Sequence, residues 1–141
     1  DRARAVGAMA GLQAFLFGGL LVLIFWLLAA PLAHAFLPTA SAAVTGMVVL
    51  YFSTAALSQP LAAFALGAIG AVQGAGRMWA PLWVDLPGFA VVFMLLGGGL
   101  WLHVGLFTQF LLLAAGAFVV AVLHGLHLWL GPWALPRSGG G

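Results

Sequence analysis

The chain contains no cysteine and no lysine, and among its 141 residues only Asp1 and Asp85 are acidic. Without cysteine there is no disulfide, thiolate metal site, iron-sulfur cluster or cysteine nucleophile. Without lysine, the basic groups are Arg2, Arg4, Arg77 and Arg137, too few and too scattered for a nucleic-acid surface. Nucleic acid is therefore not an expected partner. The chain also lacks a Ser-His-acid set, a phosphate-cradling glycine loop and an HExxH pair, so intrinsic catalysis has no visible machinery. No metal site is expected either.

Hydrophobic residues make up 65% of the chain, charged residues only 4%, and the mean hydropathy is +1.23. These values lie far outside the range of a soluble globular domain and describe an integral membrane protein. Glycine, at 20 residues without a collagen period, suits close helix packing in a bilayer. The apolar run from Leu12 is too long for a signal-peptide core, and no small-residue cleavage site closes it, so it reads as a span.

The expected fold is an all-α membrane protein, one transmembrane domain over residues 1–141. Four transmembrane helices are expected at about residues 12–35, 44–72, 88–106 and 109–130, with a short tail at 132–141. Pro31, His34 and Pro38 mark the far end of the first span, and Ser41 is placed to cap the next helix. Ser58, Gln59 and Pro60 interrupt the second. Proline there frees the Ala56 carbonyl and predicts a helix kink, with Thr54, Ser58 or Gln59 at hand to satisfy it. A gating or substrate-lining role for this cluster is the alternative.

Residues 73–87, with Gly74, Gly76, Pro81 and Pro87, read as the one long connection, carrying interfacial Arg77, Trp79 and Trp83. Asp85 falls at the edge of this loop as a solvated carboxylate, with Arg77 as its candidate partner. A carboxylate-based proton relay inside the membrane thus has no candidate. A tight turn is expected between His103 and Gln109. With a cytoplasmic amino terminus, four spans put Arg2, Arg4, Arg77 and Arg137 all inside, so both termini are expected to be cytoplasmic. No internal repeat of the secondary-transporter kind is visible.

His124 and His127 lie three residues apart in a very apolar segment and so share a helix face. Gly125 beside them continues a small-residue stripe, Ala117, Ala121 and Gly125, that lets another helix come close. Gly70 and Gly74 offer a second such face, and Gly97, Gly98 and Gly99 read as packing residues. A histidine inside a membrane needs a partner. Interhelical hydrogen bonds are one reading for this pair. Ligation of haem b or chlorophyll, or proton transfer, is the other, with His34 and His103 as further candidate ligands. His103 and His124 differ in depth by roughly 20 Å at the helical rise, so they cannot hold one iron between them. His124 and His127, on one helix, cannot supply opposite axial ligands. His34 and His103 both lie near the outer surface and can pair across a haem.

The words His124-Gly125-Leu126-His127-Leu128, followed by Gly131, resemble the HGxHVxxG stretch of subunit III of the haem-copper oxidases. Upstream, the hydroxyl-rich and small-residue segment from Ser53 to Ala63 is similar to that family's SSxTxxxA segment. Arg77-Met78-Trp79 stands where the family has a basic cytoplasmic connection, ahead of a span ending in the aromatic Leu100-Trp101-Leu102. The family's acidic residue before the aromatic position has no counterpart here, and Leu128 replaces the usual valine.

The resemblance implies a subunit without redox cofactors of its own. Such a subunit packs against a catalytic subunit, holds lipids and supports proton uptake or turnover stability, with His124 and His127 as packing residues. The expected function is accordingly a non-catalytic accessory subunit of a respiratory or electron-transfer complex in the bacterial cytoplasmic membrane. Its expected partners are other membrane subunits and lipids. A haem- or pigment-binding membrane anchor of a quinone-reactive complex, and a small transporter or channel component, are the alternatives.

Overall fold

The computed structural model of the chain describes residues 2–134, and every regular element among them is helical. The α-helices are α1 (Arg2–Leu27), α2 (Ala29–Phe36), α3 (Ala42–Ser53), α4 (Ser58–Gly74), α5 (Ala80–Trp101) and α6 (Leu106–Leu130). Single 3-10 turns at Ala55–Leu57 and Pro132–Ala134 complete the set. Helices α1, α5 and α6 are each long and apolar enough to cross a membrane. The pair α3 and α4, bent by 48°, adds a fourth if it forms one span.

Proline explains most of the breaks. Pro31 has no N–H for the Leu27 carbonyl, and the helix falters at Leu28. Hydrogen bonds from Leu28 to Ile24 and from Leu32 to Leu28 carry it across, so α2 is nearly a continuation of α1. It ends before Pro38, and the Ser41 hydroxyl then accepts from Val44 N at the start of α3.

The bend between α3 and α4 falls on residues 54–57, just upstream of the Ser58-Gln59-Pro60 interruption. Thr54 N turns back to the Tyr51 carbonyl, and the Thr54 hydroxyl takes up the Leu50 carbonyl at 2.6 Å. The Ser53 hydroxyl bonds the Val49 carbonyl at 2.7 Å. Both hydroxyls are spent on their own helix, the usual way a broken membrane helix re-satisfies its backbone. Pro60 itself is buried, and Ser58 with it.

The long connection expected over residues 73–87 is corrected to a short one, residues 75–79, turned through Gly76 at φ 78°. Helix α5 begins eight residues earlier than the expected 88, because Pro81 occupies the first helical turn, where a missing N–H costs nothing. Pro87 is accommodated inside α5. The turn between α5 and α6 is at residues 102–105, one side of the expected His103 to Gln109 region, with His103 at φ 53°.

Packing follows the small residues. Helix α1 lies along α4, α4 along α6, and α6 along α5. At the first contact Gly7, Gly11 and Gly18 meet Ala71, Phe64 and Pro60, and a Cβ on Gly67 would come within 2.8 Å of the Gly11 Cα. On α5 and α6 the close approaches are Gly88 to Val120, Gly99 to Leu112 and Gly116 to Val92. The buried core is Ala68 and Val72 of α4 with Leu128 and Trp133.

Residues 132–134, expected as tail, instead close the end of α6. Pro132 cannot donate to the Leu128 carbonyl, and the Trp133 indole N–H does so at 2.9 Å. Arg4 Nη2 donates to the Gly131 carbonyl at 3.0 Å, which puts a cation at the carbonyl end of α6, where the helix dipole favours it. The remaining tail, with Arg137, lies outside the described residues.

Candidate functional site

A side-chain pair that joins two helices is built on the α5-α6 hairpin. Asp85 stands in the second turn of α5, and His124 just under two turns before the end of α6. Antiparallel packing brings them level. His124 Nε2 and Asp85 Oδ1 are 2.8 Å apart, with His124 2% exposed and the Asp85 side chain 24% exposed. With Asp85 ionised, Nε2–H donates to the carboxylate, a charge-assisted bond of the short, strong kind.

This corrects two expectations about Asp85. It is not a loop carboxylate, because Pro81 starts a helix rather than ending one, and the partner the structure gives it is His124 rather than Arg77. A carboxylate therefore does lie inside a membrane-length helix, facing a second helix rather than water.

The pair stands at one end of a cleft of about 300 Å³ formed by α4, α5 and α6. Leu66, Phe89, Leu113 and Val120 are among its walls, and Ser58 lies toward the other end. Ala117 lines the same cleft, while Ala121 is buried in α6 and Gly125 faces the Phe64 ring of α4. That stripe thus runs along the α4-α6 contact. Gly70 and Gly74 are exposed, and among the described residues a Cβ on either would meet nothing within 4 Å, so they pack against no other described helix; a Cβ on Gly97 or Gly98 would likewise meet nothing. The close contacts of α4 are made by Gly67, Ala68 and Ala71 on a different face. The glycines that do hold α1 to α4, Gly7, Gly11 and Gly18, escaped the sequence reading although their spacings of four and seven are a legible helix-contact signal.

The other histidines are placed separately. His127 is half-buried against Gly131, and its Nε2 is buried without a hydrogen-bond partner among the described residues. His34, in the last turn of α2, and His103, beyond the end of α5, are exposed at the end of the bundle opposite His124. Gln59 is exposed and lines a separate cleft between α1 and the α3-α4 bend, with Val22, Phe25 and Phe52. Among the described residues no three of His, Asp or Glu come together as a metal-binding group.

No protein-family model matches this chain, and no curated protein or solved structure does so either.

Proposed function

We propose that the chain is an accessory membrane subunit of a respiratory or electron-transfer assembly in the bacterial cytoplasmic membrane, without a redox centre of its own. The observation that carries this reading is the engagement of His124. His124 is 2% exposed and its Nε2 is hydrogen-bonded to Asp85 at 2.8 Å, so the most buried histidine is used as a strut between α5 and α6. That is the role which the likeness of His124 to Leu128 to the oxidase subunit III stretch implies.

Large apolar side chains cover the outer faces of α1, α5 and α6, and open glycines at Gly70, Gly74, Gly97 and Gly98 let a neighbouring helix approach the backbone. Lipid and other subunits are the partners such faces fit. Four spans with both ends cytoplasmic complete the proposal. Arg2, Arg4 and Arg77 support it, since all three belong to the end of the bundle where α1 begins and α4 gives way to α5.

The test is purification of the native assembly through this chain in mild detergent, with a reduced-minus-oxidised spectrum and mass spectrometry of what copurifies. The proposal expects an oxidase-type catalytic subunit, with all haem accounted for by that partner. A chain that comes away alone and carries haem overturns it, and makes His34 and His103 the ligands to replace first.

A further inference from the structure

The cleft beside Asp85 has the chemistry of a binding site. Its walls are apolar apart from Ser58 and Asp85, and no arginine is among the described residues that line it. Among the described residues, Asp85 is the ionisable one that lines it; it is partly exposed, and His124 uses one of its oxygens. A carboxylate has about four acceptor positions, so capacity to accept hydrogen bonds remains on the cleft side of the pair.

Three ligand chemistries can be compared. An anion is repelled by the carboxylate and finds no cation among the walls. A cation would have to give up its hydration in apolar surroundings for a single carboxylate that His124 already engages, with no second acidic side chain among the described lining residues. An uncharged donor meets neither obstacle, because its O–H satisfies the remaining acceptor without adding charge.

The body of the ligand must be apolar, to match Leu66, Leu113 and Val120, and Phe89 supplies an aromatic wall for a ring. The wall residues of α5 and α6 each span seven positions, which at the helical rise gives a slot of roughly 10 Å. That length accommodates a ring and the first carbons of a tail, and a longer tail leaves the cleft past exposed Leu66 and Phe89.

We infer that this cleft binds a lipid-soluble phenol or hydroquinone, whose hydroxyl donates to Asp85 while its ring lies against Phe89. The Asp85-His124 pair then does two things: it ties α5 to α6, and it presents an oriented acceptor inside the membrane. The inference stands on the cleft alone and does not depend on the chain belonging to an electron-transfer assembly.

The test uses the full chain purified in detergent, with decylhydroquinone as probe and equilibrium dialysis as readout. Three comparisons decide it. The dimethyl ether of the same probe keeps the ring and tail but has no donor, and it is expected to bind at least tenfold more weakly to the unaltered chain. Ala117→Leu, which fills the cleft while leaving the polar pair in place, is expected to abolish binding. Decylammonium is expected to bind more weakly than the hydroquinone.

Equal binding of the ether overturns the inference without any variant having to fold. Undiminished binding to an Ala117→Leu chain that elutes like the parent places the probe elsewhere and also overturns it. Tighter binding of decylammonium makes this a cation site, and no binding of decylhydroquinone to the parent ends the proposal. A failure of the copurification experiment alone leaves these results unaffected, so the two proposals fail separately.

Discussion

Replacing Asp85 and His124 by leucine, singly and together, measures how firmly α5 is tied to α6. In Asp85→Leu the His124 ring nitrogen stays buried with no acceptor, and in His124→Leu the carboxylate loses its donor while remaining three-quarters buried. In water-soluble proteins an orphaned buried polar group costs about 1–3 kcal/mol. In a membrane the helices persist after unfolding and find other partners, so interhelical hydrogen bonds average about 0.6 kcal/mol and reach about 1.7. The burial of His124 and the short 2.8 Å separation place this pair at the upper end of that range. Each single variant is therefore expected to lose about 1–2 kcal/mol. The double variant, with two apolar residues facing each other, should lose no more than either single one.

Unfolding by SDS titration from mixed micelles, followed by tryptophan fluorescence, provides the measurement, and Asp85→Asn, which retains an acceptor, should fall between parent and Asp85→Leu. Strict additivity within about 0.3 kcal/mol would refute the reasoning, since it would mean that the two side chains do not interact.

The same titration separates packing glycines from open ones. Gly67→Ala sets a Cβ 2.8 Å from the Gly11 Cα and 3.0 Å from the Ala10 carbonyl, both backbone atoms, and should destabilise by about 1–3 kcal/mol despite the gain in helix propensity. Gly70→Ala meets nothing and should be neutral or stabilise by up to about 1 kcal/mol; Gly70→Leu should leave the isolated fold intact while weakening copurification with a partner subunit. Trp133→Phe keeps a ring in the core but leaves the Leu128 carbonyl without a donor, and a lowered unfolding midpoint corresponding to about 1–3 kcal/mol is expected.

Much of the fold is legible in the sequence because lipid leaves few options for an apolar chain. Long apolar runs had to be helices, Ser41 had to cap one, and the Ser58-Gln59-Pro60 interruption had to bend another. The histidine pair pointed to a polar interhelical contact, and His124 makes one. Its partner was hidden by the prolines: Pro81 and Pro87 have the composition of a loop, but a proline in the first turn of a helix loses no hydrogen bond, and α5 extends past both. Once that helix is drawn, Asp85 stands level with His124. The outward faces of Gly70 and Gly74 were beyond the sequence for a different reason. Small residues mark where a helix can approach, and the choice among several such faces on α4 is made by the shape of α1, through Gly7, Gly11 and Gly18.

The measurement that tests the central claim most directly is a solid-state NMR distance between carboxylate carbon of Asp85 and ring nitrogen of His124, in the full chain reconstituted in lipid. With both sites isotopically labelled, the account predicts the strong carbon-nitrogen dephasing of a ring nitrogen hydrogen-bonded at 2.8 Å to a carboxylate oxygen. Absence of dephasing, with the other histidines left unlabelled, would show that α5 and α6 are not joined through these residues and would contradict the account.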